Sequence, residues 1–108
     1  MLRLFMVVAA VSAALAASAY AAGDPAAGRK KAASTCQVCH GLDGIAKLPD
    51  APNLAGQNKM YLDRSLKAYK AGERKNPQMS VVAATLTDDD IANLAAYYAQ
   101  GGVKTASQ

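Results

Sequence analysis

The chain has 108 residues, 12 of them basic and 8 acidic, for a net charge of +4, and 52% of it is hydrophobic. That length makes one domain with a marginal core. Its basic residues are scattered apart from Arg29-Lys30-Lys31 and Arg74-Lys75, which argues against a nucleic-acid partner. With no Trp and a single Phe, at position 5, the chain calls for a staple: a disulfide, a metal or a cofactor.

The first two dozen residues are unlike the rest. Arg3 is the only charge before Asp24, Leu4 to Ala17 is an apolar run, and Ala19 and Ala21 are small residues three and one positions before a cut. This is the pattern of a secretory signal peptide. Residues 1–21 are expected to be removed, leaving a domain of residues 22–108; losing Arg3 leaves 11 basic against 8 acidic residues, a net +3. The competing reading is an uncleaved anchor, since Leu4 to Ala22 approaches bilayer length. Weakly apolar alanine and the good cleavage site favour export, with no stable membrane insertion afterwards.

Beyond the export signal everything readable is helical, with no period-2 strand pattern and no internal repeat. Asp24-Pro25 opens a first helix with an N-cap and a proline at the first position, and the helix runs towards Cys39. Gly28, Ala32 and Thr35 form its small-residue side. Gly41, Gly44, Pro49, Pro52 and Gly56 punctuate the next stretch too densely for a regular element. A second helix runs from near Asn58 to Gly72, with Leu62, Leu66 and Tyr69 as its apolar stripe. Glu73 to Pro77 reads as irregular, leading to Met79 and a short helix over Ser80 to Ala84. Thr87 caps the last helix, whose first turn holds Asp88, Asp89 and Asp90, where the macrodipole favours negative charge. Ile91, Leu94, Tyr97 and Tyr98 make its inward stripe, and Gly101-Gly102 ends it. The fold class is all-α with long loops in the middle.

Cys36-Gln37-Val38-Cys39-His40 is C-x-x-C-H, the attachment signature for c-type haem. On a helical turn, positions i, i+3 and i+4 share one face. Both thiols can therefore reach the vinyl groups on one side of a macrocycle, and the adjacent imidazole meets the iron from that side. A zinc site wants four N or S ligands, whereas the chain holds two Cys and one His. A thioredoxin-like pair belongs in a βαβ context, and a disulfide across three residues restrains little. The cofactor expected is one covalently attached haem c held by Cys36 and Cys39, with His40 as an iron ligand.

A single His leaves the sixth position to another residue. Past the export signal the candidates are Met60 and Met79, and either can serve as core filler. Met60 sits at a helix start beside the large Tyr61, whereas Met79 follows an irregular, proline-containing loop able to bring a thioether over a haem face. The loop argument favours Met79, and His/Met ligation suits electron carrying.

With that motif in place, the chain from about Asp24 to Gln100 resembles the small bacterial class I cytochromes c. It is especially similar to monohaem periplasmic carriers that look like one half of the dihaem bacterial cytochromes. Pro52-Asn53-Leu54-Ala55-Gly56-Gln57 resembles the segment after the haem site. Tyr61-Leu62 through Gly72 resembles the middle helix, and Met79 with Leu86 to Tyr98 resembles the methionine loop and final helix. The resemblance implies crossed N- and C-terminal helices around one haem, with Gly28 close to Leu94 and Tyr97. It also implies that Pro52 accepts the His40 Nδ1–H through its carbonyl, although the bland reading of Pro52 is a turn proline. Met79 is implied as distal axial ligand.

The function expected is electron transfer by a diffusible periplasmic carrier, monomeric or weakly dimeric, between redox protein partners, with no catalytic residues of its own. The alternative is a haem-bearing subunit of a larger oxidoreductase complex. A ligand-binding haem protein needs an open or labile sixth position, which a second protein ligand closes.

Overall fold

The structure is a computed structural model and describes residues 22–101; the expected export signal lies outside them. The first helix, α1, spans Pro25–Thr35, and Asp24 caps it by accepting from the Ala26 N–H. Asp24 also donates its own N–H to Asn93 Oδ1 at 2.7 Å, so the cap is tied to the last helix from its first residue.

The expected continuous helix to Cys39 is interrupted. Cys36 sits at φ −114°, ψ −26°, and a short helix, α2, follows over Gln37–His40. The winding persists across this distorted residue: the Cys36 N–H donates to the Ala32 carbonyl at 2.9 Å and the His40 N–H to the Cys36 carbonyl at 3.0 Å. Residues 41–58 hold no regular element, as the density of Gly and Pro implied. Their backbone is satisfied locally, by Leu54 N–H to the Gly44 carbonyl at 2.8 Å and Ala46 N–H to Asn53 Oδ1 at 2.7 Å.

Helix α3 spans Lys59–Ala71, with Asn58 accepting from the Tyr61 N–H at its start and Gly72 at φ 77° ending it. Helix α4 spans Pro77–Ala84, three residues longer at its start than the sequence reading. Asn76-Pro77 repeats the cap-plus-proline signal of Asp24-Pro25, and the Asn76 side chain accepts from the Gln78 and Met79 N–H groups. Met79 therefore lies in the first turn of a helix instead of at the end of a loop. Helix α5 spans Asp88–Gln100 and opens with a capping box between Thr87 and Asp90. The described residues contain helices and no strands.

Helices α1 and α5 pack with almost no side-chain layer between them at Gly28. A Cβ there would overlap the Asn93 carbonyl and approach Tyr97 Cβ to 2.8 Å. Tyr97 is as the resemblance implied; the backbone of Asn93 takes the place expected for Leu94, which instead lies in the core. That core is Ala32, Leu62, Leu86, Ile91, Leu94, Ala95 and Tyr98. Ion pairs reinforce the arrangement from outside, Lys31 to Asp90 at 3.6 Å between α1 and α5 and Lys70 to Asp88 at 3.7 Å between α3 and α5.

Candidate haem centre

The centre is built from the short helix α2 and the loop after it. Cys36 and Cys39 are both free thiols of intermediate exposure, placed a helical turn apart. His40 closes the turn and is the one buried polar residue among those described, at 8% exposure. Its Nδ1 lies 2.9 Å from the Pro52 carbonyl oxygen. A proline has no N–H for the loop to use, and its carbonyl accepts the imidazole N–H, which fixes the tautomer and ring plane and leaves Nε2 as the nitrogen available to a metal. The sequence-expected residues Cys36, Cys39, His40 and Pro52 are thus brought together.

Burial pushes the Cys36 thiol up to about 11, against an opposing effect of Lys31. In the chain without its cofactor, Cys36 is therefore a protonated thiol at neutral pH. Two thiols and one imidazole suit a macrocycle held by thioethers and ligated through His40; they are one donor short of a closed four-coordinate zinc site. When bound, such a haem supplies reversible one-electron chemistry at iron. The chain's own part would be to hold the macrocycle through Cys36 and Cys39 and to orient the imidazole through the Pro52 carbonyl.

The tyrosine doublet of α5 adds two contacts that the sequence did not disclose. The Tyr97 hydroxyl donates to the Leu42 carbonyl at 2.5 Å and the Tyr98 hydroxyl to the Gly41 carbonyl at 3.0 Å. Both acceptors directly follow His40, so α5 clamps the chain as it leaves that residue. Burial, then the neighbouring Cys36, raises the Tyr98 phenol well above its ordinary value, which keeps it a donor. A signal was present: a buried tyrosine needs a partner for its hydroxyl, and two adjacent ones on an inward stripe cannot share one. Gly41 itself is at φ 74°, and a Cβ there would overlap the Ile45 carbonyl.

The two methionines differ in placement. Met60, in the first turn of α3, is 67% exposed. Met79 is half-buried in the first turn of α4, where its N–H donates to Asn76 Oδ1 at 2.9 Å. Among the described residues no helix is long and apolar enough to cross a membrane.

A small helical domain whose terminal helices pack through a glycine, and which offers two thiols and a proline-bonded histidine on one turn, is a c-type cytochrome. The chain belongs to the family described as cytochrome c oxidase, cbb3-type, subunit III, whose profile matches residues 23–97, and as a member it carries covalently bound haem c. It is 50% identical over 80 residues to cytochrome c-554(548) of Halomonas halodenitrificans, covering 71% of this chain and 95% of that protein. It is 46% identical over 81 residues to cytochrome c4 of Pseudomonas aeruginosa, covering 75% of this chain but 40% of that protein. Among solved structures, reduced recombinant cytochrome c4 from Pseudomonas stutzeri superposes with a TM-score of 0.69 at 38% identity, over 75% of this chain and 47% of that one. The chain thus spans less than half of these cytochromes c4, and it resembles one half of a dihaem protein.

Proposed function

We propose that the protein is an exported, diffusible electron carrier with one haem, held by thioethers to Cys36 and Cys39 and ligated axially by His40 and Met79. The observation that carries the reading is the His40 Nδ1 contact with the Pro52 carbonyl at 2.9 Å, which pre-orients an imidazole beside two free thiols. Electron carrying follows from closed coordination: with protein donors on both faces, the iron takes and gives electrons without a position for substrate. Met79 is favoured over Met60 because it is half-buried and its backbone is fixed by Asn76, while Met60 points to solvent. The export pattern of residues 1–21 supports a periplasmic carrier.

The experiment is the optical spectrum of the ferric protein. A thioether sulfur on ferric iron gives a weak band in the red; Met79→Ala is expected to abolish it and Met60→Leu to leave it. A band that survives the first change and is lost in the second reverses the assignment.

The second reading, a subunit of a larger oxidoreductase, draws on the family's own description as an oxidase subunit. Size-exclusion of the native protein from periplasm separates the two: a free carrier elutes at its own mass, a subunit with its complex.

A further inference from the structure

Between α3 and α4 the chain runs through Gly72 to Asn76, and this stretch leads directly to Met79. Its backbone is moored at one end, where Glu73 N–H donates to the Ala68 carbonyl at 3.0 Å and Arg74 N–H to the same oxygen at 3.2 Å. Its far end is fixed by Asn76, which caps α4 and whose N–H donates to Ser80 Oγ at 3.1 Å. Between the two lies Arg74. Its guanidinium carbon sits 4.7 Å from the centroid of the Tyr69 ring. The same guanidinium lies beside the Tyr61 hydroxyl and holds that phenol below its ordinary value, with help from Ser65. Tyr61, Ser65 and Tyr69 recur every four residues and so share one stripe of α3. A planar cation that stacks on one ring and lies near a second phenol two turns away runs along the length of that stripe.

We propose that Arg74 is a positioning residue for Met79: by lying along the Tyr61–Ser65–Tyr69 stripe it ties the connecting loop to α3 and keeps the thioether on the iron. The inference rests on the His40/Met79 reading above. The loop is polar and exposed, with Gly72 to Lys75 all open to solvent, so without the tie its local opening free energy is small. Local opening is what releases the methionine.

Cyanide tests this, because it enters the ferric protein only while the sixth ligand is off the iron. The experiment compares the cyanide association rate of the ferric holoprotein with its urea unfolding, for Arg74→Gln, Arg74→Lys and the parent. Arg74→Gln is expected to speed cyanide entry about threefold, the size of one exposed cation–π contact, with a smaller proportional change in the global unfolding constant. Arg74→Lys, which keeps the charge but not the planar fork, falls between. Tyr69→Phe, which keeps the ring face, leaves the rate at the parent value. An unchanged rate in Arg74→Gln overturns the proposal, and so does a rise matched by an equal rise in the global unfolding constant, which is what a merely structural role produces. A red band that survives Met79→Ala overturns the ligand assignment instead, so the two failures are told apart.

Discussion

At the scale of single residues, the centre depends on how few atoms orient it. Thioether sulfur is a soft donor that favours ferrous over ferric iron, so Met79→Ala is expected to lower the reduction potential and to open the sixth position to carbon monoxide or cyanide. Met60→Leu is the matched control: it is nearly volume-conserving, at an exposed site, and costs under about 1.5 kcal/mol. Potentiometry with carbon monoxide titration of both variants checks the contrast. Pro52 meets His40 through its carbonyl and has no N–H to give, so Pro52→Ala is expected to retain the haem while loosening the loop that carries the acceptor. A lower melting temperature with a shifted potential is expected; a spectrum, potential and melting temperature all unchanged would leave Pro52 as a turn proline only. The tyrosine clamp adds a sharper case. Tyr98→Phe keeps the ring in the core and removes one of two donors to the Gly41 carbonyl, which keeps the Gly44 N–H at 3.2 Å, at a cost of about 0.5–1.5 kcal/mol for one hydrogen bond, measured by urea unfolding.

At the scale of elements, the helix boundaries show what the sequence discloses and where it stops. Caps were legible because they are local: Asp24, Asn58 and Thr87 each accept a hydrogen bond from the first turn they open, and Gly72 ends α3 in the left-handed region. The Asn76-Pro77 start is equally local, but the polar run before it reads as loop and hides it, so the loop premise that favours Met79 gives way to a first helical turn. The attachment motif was legible at residue level, whereas the distortion at Cys36 leaves no local pattern, and the adjacent Tyr97 and Tyr98 signal a need for acceptors without naming the carbonyls 55 and 57 positions away that supply them. The packing of α1 on α5 is testable at Gly28. A methyl group there meets the Asn93 carbonyl, so Gly28→Ala is expected to destabilise by about 1–3 kcal/mol through overpacking, read as a fall in melting temperature without a change in the red band. The start of α5 carries a pH dependence. The Thr87 backbone N–H, then its hydroxyl and Lys31, hold the Asp90 carboxyl below its ordinary value. A depressed carboxylate contributes stability above its unfolded value and loses it as pH falls through the folded one. Asp90→Asn is therefore expected to flatten the acid limb of the stability curve and leave the neutral and alkaline limbs parallel to the parent.

At the scale of the whole molecule, charge decides how the carrier meets its partners. The α3 helix and the loop after it hold Lys59, Arg64, Lys67, Lys70, Arg74 and Lys75 against Asp63 and Glu73, while the opposite sign gathers at the start of α5. Two of the cations are spent internally, Lys67 on Asp63 at 2.7 Å and Lys70 on Asp88 at 3.7 Å; a third, Lys59, donates through Nζ to the Ala22 carbonyl. What is left for a partner is a modest positive field, reduced further by the propionates of a bound haem. Steering of this size raises encounter rates with an acidic surface and is screened over roughly 10 Å at 0.1 M salt. The bimolecular electron-transfer rate with the natural partner is therefore expected to fall as salt rises, gently because few charges are uncommitted. Arg64→Gln, which removes an exposed charge that is not part of the Tyr61–Ser65–Tyr69 stripe, should flatten that slope without altering the red band. A rate that is flat or rises with salt in the parent would mean that the contact is made by apolar side chains, for which Val38, Ile45, Leu48, Met60, Tyr61 and Val81 are exposed, and the salt slope of the Arg64 variant would then match the parent's.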